Sequence, residues 1–177
     1  LHSFPTRRSS DLQGKFEIAV ATMSKGFEID PRSSEVAYNV AQTYALLRRY
    51  DDAYRYIDRA LTIAPDVAQR VLYKAELHWL ADGDTKAAKA LIEPASATAD
   101  MNDKILVQWY MALNERFSGN YKDALAVFSA GLNKPLDTQF AYVPPALQIA
   151  ELYGLLGKAE LARMYSDSAR IALLELV

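Results

Sequence analysis

Residues 34–65 read SEVAYNVAQTYALLRRYDDAYRYIDRALTIAP, and this stretch decides the fold. Two runs of apolar residues at helical spacing lie on either side of the polar turn RRYDD, and the stretch ends at Pro65. The phrase GFEIDP ends in the same way at Pro31, 34 residues earlier. A helix–turn–helix unit with a period near 34 residues is therefore predicted.

Three small residues mark the unit, because small side chains let neighbouring helices approach closely. They are Ala41, Ala53 and Ala60, spaced by 12 and then 7 residues. The same spacing recurs, without a gap inside any unit, at Ala75, Ala87 and Pro94, at Ala112, Ala124 and Gly131, and at Ala150, Ala162 and Ala169, with Ala19 and Gly26 before the first unit. Five aligned registers predict a repeat array.

This pattern resembles the tetratricopeptide repeat family, whose unit is a 34-residue pair of helices. The resemblance implies an all-α, right-handed α-solenoid of helix–turn–helix repeats over residues 13–177. A remnant helix is expected at 15–29, followed by repeats at about 34–65, 67–94, 102–134 and 144–177. Helices are predicted at 15–29, 34–47, 51–63, 67–81, 84–93, 102–117, 121–133, 144–156 and 159–176. The fifth helix is expected to end early because Pro94 cannot continue it.

The first twelve residues, LHSFPTRRSSDL, differ from the rest of the chain. They contain no apolar periodicity, and their back-translation gives DNA that resembles a sequencing adapter. We therefore expect residues 1–12 to be a non-native, disordered segment and the chain to be a fragment, and we exclude them from functional reasoning.

Composition limits the classes of partner. The chain has 20 basic and 22 acidic residues, a net charge of -2, so no overall field favours nucleic acid. No apolar run approaches the roughly 18 to 20 residues that span a bilayer. The absence of cysteine excludes disulfides and thiolate metal sites. We expect a protein or peptide partner, with neither nucleic-acid binding nor membrane insertion.

Catalytic and metal-binding patterns are absent from the sequence. His78 is the only histidine after His2, and its helix position, shared with Tyr44 and Tyr153, predicts a packing role in the core. The Asp82-Gly83-Asp84 run is interpreted as a turn with solvated acids, because no calcium-loop pattern follows it. The RRYDDAYRYIDR stretch is interpreted as a solvated, salt-bridged helix face. We predict no enzyme activity, cofactor or metal.

The family resemblance implies that the first helix of each repeat, the A helix, lines a concave groove for a partner. Its second, fifth, sixth and ninth places are the ones that face the groove. They yield the predicted partner-binding residues Tyr38, Asn39, Gln42, Gln69, Tyr73, Glu76, Trp109, Tyr110, Gln148 and Glu151. Some relatives clamp a C-terminal carboxylate with basic residues at these places; only Asn39 matches here, so that activity is not inferred. The groove should suit a neutral or mildly basic segment, with tyrosine and tryptophan rings as anchors. Alternatively, the rings of Trp109 and Tyr110 pack against neighbouring helices.

Most of residues 30–172 are also similar to repeat arrays that follow bacterial serine/threonine kinase or nucleotide-cyclase domains. The stretches that carry this resemblance are LRRYDDAYRYIDRALTIAPD, DGDTKAAKALIEPA and YVPPALQIAELYGLLGKAELARMYSDSAR. This resemblance implies a sensory or recruiting module of a larger cytoplasmic regulator, or a periplasmic domain of a membrane-anchored one. The alternative is a free-standing structural adaptor for complex assembly.

Overall fold

Nine α-helices and two short β-strands make up the described part of the chain. The computed structural model describes residues 15–99, 103–130, 134–137 and 142–174, and the expected non-native segment at 1–12 lies outside these ranges. The helices are α1 (Phe16–Ile29), α2 (Ser34–Leu46), α3 (Tyr50–Ile63), α4 (Ala68–Ala81), α5 (Thr85–Thr98), α6 (Asp103–Phe117), α7 (Tyr121–Ser129), α8 (Pro145–Leu155) and α9 (Ala159–Leu174). The strands are β1 (Leu136–Asp137) and β2 (Tyr142–Val143). The predicted helices lie within a residue or two of the observed ones, apart from the end of α5 and the end of α7, which was predicted at 133 and lies at Ser129.

The chain divides into two compact units, residues 1–91 (unit 1) and 92–177 (unit 2). In unit 1 the marker alanines Ala41, Ala53 and Ala60 are fully buried, so the backbones of α2 and α3 approach closely. Larger side chains fill the space between the helices, among them the buried Val40 and Ile57. The buried hydroxyl of Ser34 donates to the Ala60 carbonyl at 2.8 Å, which joins the start of α2 to the end of α3.

The turn between the two helices of a repeat has one backbone form in three of the four complete repeats. Arg48, Gly119 and Gly157 have φ of 57°, 82° and 73°, and each lies seven residues after the first marker alanine of its repeat. In each turn the following N–H bonds to the carbonyl five residues back, as Arg49 does to Tyr44 at 2.9 Å. Glycine adopts this left-handed backbone freely, whereas Arg48 adopts it at an energetic cost.

The turn of the second complete repeat is longer by one residue. Gly83, with φ of 68°, lies eight residues after Ala75, and the N–H of Asp84 bonds to the carbonyl of His78, six residues back. The prediction that no unit contains an insertion is therefore wrong for this repeat.

The inserted residue shifts the packing register of α5. Its buried alanines are Ala88 and Ala95, not Ala87 and Pro94, which restores the spacing of seven. Pro94 is exposed and lies inside the helix, which continues to Thr98, so the predicted early end is wrong. A proline removes one helical hydrogen bond and its ring crowds the carbonyl four residues back, but the burial of Ile92 and Ala95 on either side of Pro94 outweighs this cost and the helix continues.

Unit 2 contains a feature that the sequence did not predict. Between α7 and α8, β1 and β2 pair antiparallel, with Leu136 opposite Val143 and Asp137 opposite Tyr142. Leu136 and Val143 pack against the core cluster of unit 2, whose buried members are Trp109, Ala112, Ala124, Phe128, Ile149 and Leu152.

Candidate partner-binding site

In unit 1 the predicted site residues of α2 and α4 meet at an aromatic contact. The rings of Tyr38 and Tyr73 pack edge to face, with centroids 5.4 Å apart and planes at 88°. The side-chain amide of Gln42 donates to the Tyr38 hydroxyl at 2.9 Å. We call Tyr38, Asn39, Gln42, Gln69, Tyr73 and Glu76 together the unit 1 face.

The two tyrosines keep their protons at neutral pH. Burial raises the pKa of both Tyr38 and Tyr73 well above the usual value, and the nearby Glu76 carboxylate raises them further. Tyr38 is half-buried and Tyr73 is buried, so Tyr73 forms the inner side of this contact and Tyr38 the outer side. Tyr38 is the ring of this pair that a partner can reach.

Asn39 carries a polar group that nothing in the described chain satisfies. Its side chain is 6% exposed, and its Nδ2 atom has no hydrogen-bond partner among the described residues. A buried donor without an acceptor costs roughly 1–3 kcal/mol relative to a satisfied one. Asn39 follows Tyr38 directly in α2, and successive helix residues point about 100° apart, so the unpaired donor lies on the buried flank of the unit 1 face.

The remaining members of the unit 1 face lie nearer to solvent. Gln69 is exposed and Glu76 is half-buried. One further residue was missed from the sequence: the guanidinium of Arg70 lies 5.9 Å from the centroid of the Tyr38 ring. Its Nε is buried without a hydrogen-bond partner among the described residues. The only sequence signal was its place next to Gln69, because cation–π contacts depend on the neighbouring helix.

In unit 2 Trp109 is a core residue, which corrects its prediction as a partner anchor. Its side chain is 1% exposed, and its indole packs edge to face on Phe128 with centroids 5.0 Å apart. Its Nε1–H donates to the carbonyl of Lys134 at 3.1 Å. The alternative interpretation of this ring, packing against neighbouring elements, is the one that the structure shows.

The other predicted residues of unit 2 have mixed surroundings. Tyr110 is buried in α6. Gln148 in α8 is 8% exposed, and its Oε1 has no hydrogen-bond partner among the described residues. Gln148 and Asn39 thus share the sixth place of an A helix and an unpaired buried amide atom.

Glu151 pairs with an arginine that the sequence analysis did not select. A terminal guanidinium nitrogen of Arg116 lies 2.8 Å from Glu151 Oε2, with the two side chains 25% and 41% exposed. This ion pair joins α6 to α8 on the side of Gln148. An exposed pair of this kind contributes little stability, about 0–1 kcal/mol.

His78 has a different environment from the predicted one. It is half-buried rather than a core residue, and its Nδ1 lies 3.2 Å from the hydroxyl of Tyr54. Burial raises the pKa of Tyr54 to about 12, helped by the carboxylates of Asp82, Asp84 and Asp58. The sequence could not show this pair, because Tyr54 lies one helix away.

The Asp82-Gly83-Asp84 run forms the turn between α4 and α5, as predicted. Asp82 and Asp84 are exposed, and Asp84 Oδ1 accepts the backbone N–H groups of Lys86 and Ala87 at 3.1 and 2.9 Å, which caps α5. Within the described ranges, no group of three acidic or histidine side chains could hold a metal ion. An open hollow of about 370 Å³ lies nearby, and its lining contains both basic and acidic side chains, among them Arg48, Asp51 and Asp82.

The arginine-rich stretch of α3 forms the predicted salt-bridged face. Asp52 accepts from Arg49 Nε at 2.8 Å and from Arg55 at 2.6 Å, and Lys74 pairs with Asp58 at 2.7 Å. These arginines also stack on rings, with Arg49 4.7 Å from the centroid of Tyr44.

Among the described helices, none is long and apolar enough to cross a membrane.

Known proteins resemble this chain in two ways. Residues 34–67 match the tetratricopeptide repeat family. In three dimensions the chain is similar to PilW, described as a widely conserved type IV pilus biogenesis factor, with a TM-score of 0.77 and 16% identity over 97% of this chain and 76% of PilW. It is equally similar to a thermophilic tetratricopeptide repeat protein of Thermus thermophilus, with a TM-score of 0.77 and 15% identity over 94% of this chain and 88% of that one.

A tetratricopeptide repeat protein from Parabacteroides merdae has a TM-score of 0.72 and 16% identity, over 90% of this chain and 59% of that one. No curated protein matches the chain in sequence. The structural similarities confirm the predicted all-α helical-repeat fold, and the repeat match in α2 and α3 supports the tetratricopeptide assignment. Below 25% identity they show the fold alone.

Proposed function

We propose that this chain is a protein-interaction module that binds an extended segment or a helix of a partner protein through the unit 1 face. A tetratricopeptide fold suggests an interaction scaffold in general, and the finer assignment rests on the residues of α2 and α4. The single observation that carries it is the unpaired, buried Nδ2 of Asn39 beside the reachable ring of Tyr38.

Asn39 is 6% exposed, so a partner carbonyl would reach its donor by a turn of the side chain toward the surface, and that bond would relieve the penalty that the free chain bears. The Tyr38 ring, packed on Tyr73, is fixed before binding, so little side-chain entropy is lost when a partner side chain covers it. The carboxylates of Glu35 and Glu76 border this surface and favour a neutral or mildly basic segment, whereas Arg70 limits the basic charge that it accepts.

The binding test uses peptides selected from a random-sequence phage library against the whole chain. Titration calorimetry should then compare wild type with Asn39→Leu, which keeps the branched shape and heavy-atom count of the side chain and removes the donor. We expect Asn39→Leu to weaken binding about tenfold, the effect of roughly 1.4 kcal/mol. Thr43→Val is the matched control, since Thr43 is fully buried in the same helix and its hydroxyl bonds within α2. Equal affinities for wild type and Asn39→Leu would refute this role of the unit 1 face.

We propose a secondary contact surface in unit 2, formed by Gln148 and Glu151. Its support is the unpaired Oε1 of Gln148, which can accept a partner N–H. Trp109 is left out because its indole N–H already donates to the Lys134 carbonyl and its ring packs on Phe128.

The wider context is also a proposal. The resemblance of residues 142–170 to arrays beside kinase or cyclase domains supports a sensory or recruiting role in a larger bacterial regulator, placed in the cytoplasm or, alternatively, in the periplasm. We also propose that nucleic acid is not a partner, because the net charge is -2 and Arg49 and Arg55 pair with Asp52.

A free-standing adaptor that assembles through α9 is the second candidate. It is favoured by the exposed apolar side chains of Met164, Ile171 and Leu174, which lie along one side of that helix. Sedimentation velocity of wild type and of Met164→Ser/Ile171→Ser distinguishes the candidates. A concentration-dependent oligomer lost in the variant supports the adaptor, and a monomer in both refutes it.

A further inference from the structure

The β1–β2 ribbon of unit 2 has two different faces. Side chains opposite each other in an antiparallel pair lie on the same face, and the next pair lies on the other face. Leu136 and Val143 are opposite each other and both pack on the core cluster of unit 2. Asp137 and Tyr142 form the next pair, and Asp137 is exposed. The ribbon is therefore apolar toward the helices and polar away from them.

The inner face of the ribbon packs on the core cluster of unit 2, which contains Trp109, a residue predicted from the sequence to contact a partner. Trp109 lies at the fifth place of its repeat, as Tyr38 does, because each is three residues before the first marker alanine of its repeat, Ala112 or Ala41. Tyr38 is half-buried, whereas Trp109 is covered and its indole N–H is bonded to Lys134, two residues before β1. The difference coincides with the presence of the ribbon next to α6.

We propose that the β1–β2 ribbon is a built-in, detachable cover of unit 2. Leu136 and Val143 occupy the apolar surface beside Trp109, and the Lys134 carbonyl satisfies the indole N–H. A partner that presents apolar side chains on an extended segment could use this surface only by displacing the ribbon. With the ribbon in place, a partner can reach Tyr38 in unit 1 but cannot reach Trp109 in unit 2. This consequence rests on the proposed function.

Trp109 itself reports on the cover. The chain has two tryptophans, so Trp79→Phe leaves Trp109 as the single tryptophan, which is excited selectively at the red edge of the absorption band, where tyrosine does not absorb. In this background we compare Leu136→Ser/Val143→Ser, which changes the inner face, with the matched control Asp137→Ser/Tyr142→Ser, which changes the outer face. Far-UV circular dichroism verifies that the helices persist in both variants.

The inner-face variant should shift Trp109 emission to longer wavelength and raise its quenching by acrylamide severalfold, and the outer-face variant should leave both unchanged. Binding of the apolar dye ANS should rise only in the inner-face variant. An inner-face variant with Trp109 as shielded as in the parent would overturn the proposal, as would equal exposure in the two variants.

Hydrogen exchange of the wild-type chain tests the cover even if the inner-face variant fails to fold. The indole N–H of Trp109 should exchange faster than the backbone amides of α6, because the ribbon opens without unfolding that helix. Exchange of the indole at the same rate as those amides would mean that the ribbon is an inseparable part of the core, and would overturn the proposal. Neither experiment uses a partner, so its failure is distinct from a failure of the Asn39 binding test.

Discussion

Tyr38 and Tyr73 meet edge to face at 5.4 Å, and this contact joins the fifth place of one A helix to the sixth place of the next. An edge-to-face pair contributes about 0.5–1.5 kcal/mol beyond the area that it buries. The contact fixes the ring that a partner can reach, because the buried Tyr73 holds Tyr38 and Gln42 bonds to its hydroxyl. The packing of two repeats thus prepares the surface that we propose for binding.

The raised pKa values of these two phenols predict a loss of stability at alkaline pH. Above the unfolded pKa, near 10, the unfolded chain releases protons that folded Tyr38 and Tyr73 retain. The free energy of unfolding should therefore fall as the pH rises past 10, by up to about 1.4 kcal/mol per pH unit for each buried phenol. Urea denaturation across this range should show a shallower fall for Tyr73→Phe than for wild type. An unchanged slope in that variant would contradict the assignment.

The packing register of α5 is tested by two adjacent alanines. Ala88→Leu should lower the free energy of unfolding by about 1–3 kcal/mol, because Ala88 is fully buried and the added atoms overpack the core. Ala87→Leu is the matched control, since Ala87 is only half-buried and should lose distinctly less. If urea denaturation shows a larger loss for Ala87→Leu than for Ala88→Leu, the register without an insertion is the correct one.

The left-handed turn residue Arg48 is predicted to limit stability. Arg48→Gly should raise the free energy of unfolding by about 0.5–1 kcal/mol, because glycine adopts φ of 57° without the clash of a Cβ atom. The opposite change at an equivalent turn, Gly157→Ala, should lower it by about 1 kcal/mol, although nothing lies within 4 Å of the added Cβ. Thermal unfolding of both variants measures this pair, and a loss of stability in Arg48→Gly would show that its side chain matters more than its backbone.

The unpaired amide of Asn39 predicts an unusual stability effect. Asn39→Leu should leave the free energy of unfolding unchanged or raise it by about 1 kcal/mol, because it removes a buried donor that has no acceptor in the described chain. Thr43→Val should lower it by about 0.5–1.5 kcal/mol, since the Thr43 hydroxyl bonds to the Asn39 carbonyl at 3.0 Å. If both substitutions destabilise the chain equally, Asn39 has a satisfied structural role.

Sequence periodicity predicted the helices well because helix packing demands small residues at fixed intervals, as Ala41, Ala53 and Ala60 show. It failed where the signal depends on the turn: an extra residue before Gly83 moved the buried positions of α5 to Ala88 and Ala95. The sequence pattern cannot reveal a one-residue insertion here, because either of the adjacent residues Ala87 and Ala88 fits the position that requires a small side chain.

The candidate site was predicted less completely than the fold. The order of residues along α2 and α4 was enough to select Tyr38, Asn39 and Tyr73, which the structure places on neighbouring helices. Contacts from distant segments were invisible in the sequence, so Arg70 was missed and Trp109 was assigned to a groove. The carbonyl that accepts from Trp109 lies 25 residues away, in a linker without helical periodicity.

The most direct test of the proposed binding mode is nuclear magnetic resonance of the Asn39 side chain during titration with a selected peptide. We predict that the two Nδ2–H signals, assigned by their loss in Asn39→Leu, shift downfield and exchange more slowly with solvent as the donor gains a carbonyl acceptor. Asn39 signals that stay in place while the peptide saturates the chain would contradict the claim that the unit 1 face captures the partner.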